Sequence, residues 1–362
     1  MKIALFVPTI TGGGAEKMQV HLANGLADRG HSVELVIANA EAVARKRLSV
    51  DVRLIDFQKP RIMLTLLPLR RYLRKERPDV LIAALSHANV LAIVARLLAP
   101  LCGTKVIVTE RNTIAGWIAS GRQVDQMMPT LMKLLYPLAY KIVGVSQGVS
   151  DEVREVLGLQ PSKVSTIYNP IITPDIADQI PRPTCNPLFD KIERPIVVTA
   201  GRLVPLKDHE GLISAFVPIA NDRKANLVIL GEGPMRQQLE TAAAAAGIAG
   251  QVHFLGFVEN LMAYLARADL FVLNSKHEGL ANVLVEALAC GLPIVSTDCP
   301  SGPREVLDNG RYGRLVSVGD TKGLSAAMLE ALDSSTNIES LQARAKDFSV
   351  DKIANQYEAL FQ

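Results

Sequence analysis

Two glutamates, Glu278 and Glu286, share the stretch HEGLANVLVEALACGLP (277–293). Glu278 lies among small and turn-prone residues, whereas nearly every neighbour of Glu286 in VLVEALA is apolar. An unpaired carboxylate in an apolar setting is costly, so Glu286 calls for a partner or a ligand. A carboxylate there can accept hydrogen bonds from two vicinal hydroxyls, as on a ribose. Glu278 can do the same for a second sugar. Backbone N–H groups of Leu280, Ala281 and Asn282, at the start of the next helix, would face a phosphate. The two carboxylates then bracket a sugar, a diphosphate and a ribose. The plainer reading leaves Glu286 on a surface with alkyl neighbours.

A second set of groups suits the same chemistry. In AGRLVPLKDHEGLI (200–213), Arg202 and Lys207 fall in a strand-to-helix loop, and Asp208 is placed to cap the helix. Two cations at a strand end match a diphosphate; solvated surface cations are the alternative. Near the start, TGGGAEK (11–17) opens a helix after a strand. Gly13 and Gly14 there allow a ligand close to the backbone, although a plain tight turn reads equally well. A dinucleotide fingerprint fits poorly. It would need glycine at Lys17, and the second strand ends in Asn39 rather than an acid. The chain has no Asp-x-Asp pair to hold a divalent cation against a diphosphate. Arginine and lysine would neutralise it instead, so metal-independent chemistry is expected.

The elements that must position these groups alternate strand and helix. KIALFV, VELVIA, DVLIAAL, KVIVTE, KIVGVS and VSTIY read as strands of a first series. PIVVTAG, NLVILG, VHFLGF, LFVLNS, PIVSTD and GRLVSV read as a second. Helical patterns, such as 16–29 and 61–77, lie between. Continuous apolar strands in this rhythm indicate α/β doubly wound parallel sheets. The expected organisation is a Rossmann-like domain over 1–170, a proline-containing connection over 171–194, a second Rossmann-like domain over 195–345, and a final amphipathic helix within 346–362. A cleft between the domains is expected, with ligands outside the carboxyl ends of the strands.

The 362 residues are 49% hydrophobic and 21% charged, enough for a sizeable core. Cys102, Cys185, Cys290 and Cys299 show no CxxC or zinc spacing, which suits a reducing compartment. No stretch reaches the ~20 apolar residues that span a bilayer. The start, MKIALFVPTITGGG, reads as a first strand rather than a signal peptide, so a cytoplasmic protein is expected. Residues 1–170 carry 22 Lys and Arg against 13 Asp and Glu, a balance of +9; residues 171–362 carry 17 against 23, or −6. The basic half points to an anionic surface or partner. KPRIMLTLLPLRRYLRKER (59–77) joins leucines to a basic cluster, with Pro68 interrupting the helix. It suits the face of an anionic membrane, or else a core helix with a solvated end. GWIASGRQVDQMMPTLMKLLY (116–136) reads as another apolar element near an acceptor. Nucleic-acid binding has little support, since aromatic content is low and no known motif occurs.

EGLANVLVE, GRLVPLKD, GGGAE, LGEGP, LGFVEN and NGRYGRLVSVGD together resemble a family 4 retaining glycosyltransferase of the GT-B fold, nearly end to end. EGLANVLVEALACGLPIVSTDCPSGPREVL is most similar to bacterial enzymes that add N-acetylhexosamines or hexoses to polyprenyl-diphosphate-linked saccharides. The resemblance implies a UDP-sugar donor and no required cofactor. It implies that Arg202 and Lys207 bind the diphosphate, Glu278 the donor sugar and Glu286 the ribose. Backbone near Val258 would face the uracil, and Gly13 and Gly14 would approach the donor from the first domain. The final helix would cross back to that domain. One departure stands out. Where many members carry a histidine at a strand end, this chain has Glu110, Arg111 and Asn112, with His87 at the preceding strand end. These four are candidates for the acceptor side.

Transfer with retention is therefore expected. No enzymic nucleophile is evident, because Glu278 is assigned to hydroxyl binding, and a double displacement would need a carboxylate beneath the anomeric carbon. A same-face reaction, in which the departing phosphate helps take the acceptor proton, fits better; Glu110 is an alternative base. Domain closure about 171–194 would complete the site. The rival readings are a UDP-sugar epimerase, a dehydrogenase or a non-catalytic nucleotide-sugar-binding protein. Acceptor-free epimerisation, NAD binding, or donor binding without turnover would favour each in turn. The expected location is the cytoplasm, at the inner-membrane surface.

Overall fold

A computed structural model describes residues 1–10, 13–39, 48–114, 127–180 and 186–362. Its contacts divide the chain into two compact units, Met1–Ile171 with Ser349–Gln362, and Ile172–Phe348.

In the first unit, strands β1 (Lys2–Thr9), β2 (Ser32–Asn39), β3 (Val52–Asp56), β4 (Val80–Ala84), β5 (Lys105–Glu110), β6 (Lys141–Gly144) and β7 (Val164–Thr166) form one sheet. Its order is β3-β2-β1-β4-β5-β6-β7 and every pairing is parallel. β3 escaped the sequence reading. Its VRLID run mixes charge with apolar residues because it is an edge strand, buried mainly at Val52. Helices α1 (Gly14–Asp28), α2 (Leu66–Glu76), α3 (Ser86–Leu97), α4 (Met128–Leu135) and α5 (Gln147–Leu157) cover the sheet. Pro68 does not interrupt α2. It lies in the first turn, where its missing N–H has no intrahelical partner, after a 3₁₀ turn at Ile62–Thr65. Residues 115–126, most of the apolar element expected at 116–136, lie outside the described residues.

The second unit holds β8 (Ile196–Ala200), β9 (Asn226–Leu230), β10 (Val252–Gly256), β11 (Leu270–Leu273), β12 (Ile294–Thr297) and β13 (Arg314–Val316). They form a parallel sheet in the order β10-β9-β8-β11-β12-β13. Helices α6 (His209–Arg223), α7 (Arg236–Ala245), α8 (Asn282–Ala289) and α9 (Thr321–Asp333) follow its strands. Residues 186–194, read from sequence as connection, pack onto this unit. Phe189 is buried against the Tyr264 ring at 4.9 Å, and Arg194 pairs with Asp269 at 2.9 Å.

In both sheets the strand order reverses at the centre, between β1 and β4 and between β8 and β11. At such a switch the chain leaves the two central strands toward opposite faces, and in open α/β sheets ligands bind outside the carboxyl ends of such strands.

The chain closes on the first unit. The terminal helix Val350–Phe361 buries Ile353, Ala354, Tyr357 and Phe361 there, and its Glu358 accepts from Arg29 Nε at 2.9 Å. Gly25 on α1 makes that approach possible: a Cβ at Gly25 would come within 2.3 Å of Val350 Cγ1. Gly25→Ala is expected to lower stability by about 1–3 kcal/mol, and Val350→Ala to recover part of that loss in the double variant. Urea unfolding of the four proteins measures it; additive losses would show that the contact is not the cause.

Candidate functional site

Because β8 and β11 are neighbours, the loops after them meet. Lys276 N donates to Leu206 O at 2.8 Å, Asn274 Nδ2 donates to Asp208 O at 2.8 Å, and Lys276 Nζ pairs with Asp208 Oδ1 at 3.1 Å. Asp208 was expected to cap α6 through its side chain. It stands at that position, but in the left-handed region (φ 45°), and its carboxylate is turned to Lys276 and Asn274 instead. Gly211 leaves room for this, since a Cβ there would lie 2.8 Å from Asp208 Oδ2.

Stitched this way, the two loops bring Lys207 onto Glu278. Lys207 Nζ forms an ion pair with Glu278 Oε1, which also accepts from Ser275 Oγ at 2.6 Å. Arg202 is exposed on the same loop as Lys207 and makes no ion pair among the described residues. Leu280 and Ala281 are buried and Asn282 half-buried, leading into α8. Glu286 is half-buried on the second turn of α8, less enclosed than its apolar neighbours implied. Val258 is half-buried just after β10.

The loop after β12 braces this arrangement, a role the sequence reading missed. Ser301 Oγ donates to Gly279 O at 2.8 Å, and a Cβ on Gly302 would meet Leu280 backbone at 2.9 Å. Thr297 Oγ1 donates to Ser275 O at 2.7 Å. Ala281 (φ 62°) and Ser301 (φ 70°) are non-glycine residues in the left-handed region. Strain of this kind collects where surrounding structure holds a loop for a purpose. The readable signal was Ser-Gly-Pro after a strand, with glycine for the turn and proline starting a short helix.

At the first unit's switch, Gly13 caps α1 with φ −65°, and its Cβ would meet only the Glu16 carboxylate, at an ordinary 3.7 Å. Among the described residues, neither its φ nor its neighbours demand glycine there. Gly14 is the first residue of α1. His87 is half-buried in the first turn of α3, after Leu85, which takes φ 79° at the corner. Asn112 is exposed. Arg111 is buried and donates from Nη1 to Asn169 at 3.0 Å; burial brings its guanidinium down to about 10.

Glu110 does not face a ligand as its strand-end position led one to expect. It is buried, with Oε1 accepting from the Tyr136 hydroxyl and Asn89 Nδ2 and Oε2 from Ser86 Oγ. Burial raises its pKa, and those three donors oppose the shift. Its carboxylate is committed to joining β5, α3 and Tyr136, which fits packing rather than the acceptor-side base considered from the sequence. The donors lie in distant segments, so no local signal announced them.

Comparison with known proteins follows the same division. A family profile described as glycosyl transferases group 1 matches residues 188–348, and one described as Glycosyltransferase Family 4 matches residues 12–173. The chain is 26% identical over 366 residues to the N-acetylgalactosamine-N,N'-diacetylbacillosaminyl-diphospho-undecaprenol 4-alpha-N-acetylgalactosaminyltransferase of Campylobacter jejuni, covering 98% of this chain and 97% of that one. It is 28% identical to the lipopolysaccharide core biosynthesis glycosyltransferase LpsE of Rhizobium meliloti, over 87% and 84% of the two chains. Among solved structures, Anabaena HepE in complex with UDP superposes with a TM-score of 0.79 at 20% identity, covering 99% of each chain. At that identity the likeness shows the fold.

His209, the residue after Asp208, is 3% exposed, and burial pushes its pKa down to about 4. A depressed folded pKa contributes stability above the ordinary histidine value that is lost as pH falls toward the folded one. Thermal midpoints should therefore drop between about pH 6.5 and 4. His209→Leu is expected to flatten that part of the profile; an unchanged slope would assign it to other groups.

Proposed function

The chain belongs to the family 4 glycosyltransferases of the GT-B fold, and from that premise we propose that it moves a sugar from a UDP-sugar to a lipid-linked saccharide with retention of configuration. The observation that carries this reading is the meeting of Lys207 with Glu278 at the β8/β11 switch. A cation and a hydroxyl-binding carboxylate in contact suit the junction of a diphosphate and a sugar. Arg202, exposed on the same loop, adds the second cation. Glu286 takes the ribose hydroxyls, Val258 backbone the uracil, and the N–H groups of Leu280, Ala281 and Asn282 a phosphate. Gly13 and Gly14 leave room on the first unit. The solved HepE complexes with UDP and UDP-glucose support a UDP-linked donor.

As the sugar leaves, negative charge grows on the diphosphate. Arg202 and Lys207 hold that charge more strongly than the ground state, which is what accelerates transfer. This supports chemistry without a divalent metal. Glu278 already accepts from Lys207 and Ser275, which suits a binding carboxylate better than an attacking one. The same-face route follows, with the departing phosphate receiving the acceptor proton. Under it, Glu110→Gln keeps transfer within a fewfold, and a complete loss with the fold intact would restore Glu110 as the base.

The acceptor side falls to the first unit, where His87, Arg111 and Asn112 follow β4 and β5. The names of the Campylobacter relative, an N-acetylgalactosaminyltransferase on a diphospho-undecaprenol saccharide, and of the Rhizobium relative, a lipopolysaccharide core glycosyltransferase, support a lipid-linked acceptor in bacterial glycan assembly. The proposal adds a hexose or hexosamine as the transferred group, surface- or protein-glycan assembly as the setting, and the cytoplasmic face of the inner membrane as the place.

The test is transfer from a panel of labelled UDP-sugars into bacterial lipid extract, with EDTA present. One donor should label lipid, and Glu286→Ala and Lys207→Ala should each lower kcat/KM by about a hundredfold or more. Transfer that needs a divalent ion would contradict the metal-free reading, and label retained at full rate in both variants would remove the assigned site.

A further inference from the structure

We propose that the outer surface of the α2–α3–α4 helix layer is the face on which the protein docks to an anionic lipid bilayer. The inference rests on the lipid-linked acceptor for its purpose, but its evidence is separate and lies wholly within the first unit.

The connections β3–α2–β4, β4–α3–β5 and β5–α4–β6 all run in one direction across the sheet. Right-handed crossovers therefore put these three helices on the same side, opposite α1. Contacts tie them together: α2 and α4 both pack on α3, and Arg70 Nε on α2 donates to Leu98 O at the end of α3 at 2.9 Å.

The outward side of this layer is apolar. Along α4 and its two ends, Met127, Leu131, Leu134 and Leu138 repeat at helical spacing and all are exposed, Met127 and Leu134 at 69% and 67%. The opposite side of α4 is satisfied by buried Met128 and Met132. At the end of α3 and just beyond it, Leu97 and Leu98 are exposed, and Leu101 is 88% exposed. Before and on α2, Met63, Leu64 and Leu67 are exposed in the same way. Scattered exposed leucines are ordinary, whereas a stripe along α4 with further groups at the end of α3 and at the start of α2 marks a surface that meets something apolar.

Charge decides what that is. Residues 57–75, 80–109 and 127–150 contain no Asp or Glu. The same elements expose Arg61, Arg71, Arg74, Lys75 and Lys133. On α2, Leu67, Arg71 and Arg74 share one exposed stripe, so cations stand beside the leucines. An apolar surface whose exposed charged neighbours, among the described residues of these elements, are cations matches acyl chains under anionic headgroups. A second copy of this face would oppose like charges across a two-fold axis, which disfavours self-association. Among the described residues no helix is long and apolar enough to cross a membrane, so the contact is a seated one.

Cosedimentation of the full chain with phosphatidylcholine vesicles, with and without phosphatidylglycerol, tests this. Binding should need the anionic lipid and weaken as salt rises. The double variants Leu131→Gln/Leu134→Gln and Arg71→Glu/Arg74→Glu should each bind at least about tenfold more weakly. UDP affinity and the thermal midpoint, read alongside, should stay at wild-type values; the exposed arginines keep the test valid if the leucine pair disturbs folding. Equal binding by the arginine variant, no binding by the wild type, or a dimer that the leucine changes dissociate would overturn the proposal. Transfer to a short-chain, water-soluble acceptor separates the two claims: it fails if the proposed reaction is wrong and persists if only docking is wrong.

Discussion

Lys207 and Glu278 lie 71 residues apart in sequence, and their contact exists because β8 and β11 lie side by side. The pair is largely withdrawn from water, with side-chain exposures of 21% and 10%. Ions so placed lose hydration that only close partners return. Ser275 supplies one further hydrogen bond to the carboxylate. The site therefore holds its own charges in balance before any ligand arrives, and a diphosphate has to draw on a lysine already engaged. Removing either partner would strand the other.

Much of the second unit can be read as support for that contact. Asp208 gives up helix capping to reach across to the β11 loop, at the cost of a left-handed backbone, and Asn274 and Lys276 return the contact. Ser301 and Gly302 press on the Gly279–Leu280 backbone from the β12 side. Each is short, polar or without a side chain, so each can approach backbone closely. Loops held this firmly lose little entropy on binding, which favours preorganised recognition of charge.

How far this could be seen from sequence depends on range. β1 was legible because KIALFV is nearly all apolar, and β8, β9 and β11 for the same reason. β3 was not, because an edge strand with Arg53 and Asp56 lacks a clean pattern. The spacing of Arg202 to Lys207, and of Glu278 to Glu286, marked both loops. It did not show that Lys207 would hold Glu278, since that pairing depends on strand order. Glu110 misled for the same reason: a charged residue at a strand end reads as ligand-facing until Asn89 and Tyr136, from other segments, close over it. Asp208 and His209 follow the same rule, their neighbours being set by the fold rather than by adjacent residues.

The most direct measurement is calorimetric titration of UDP into the wild-type protein and Lys207→Ala, with EDTA in the cell. Metal-free binding to the wild type, weakened about ten- to a hundredfold in the variant, is the expected result for a charge-assisted contact to phosphate. Equal affinity in the two proteins would contradict the account, because the contact on which the site is built would then play no part in holding the nucleotide.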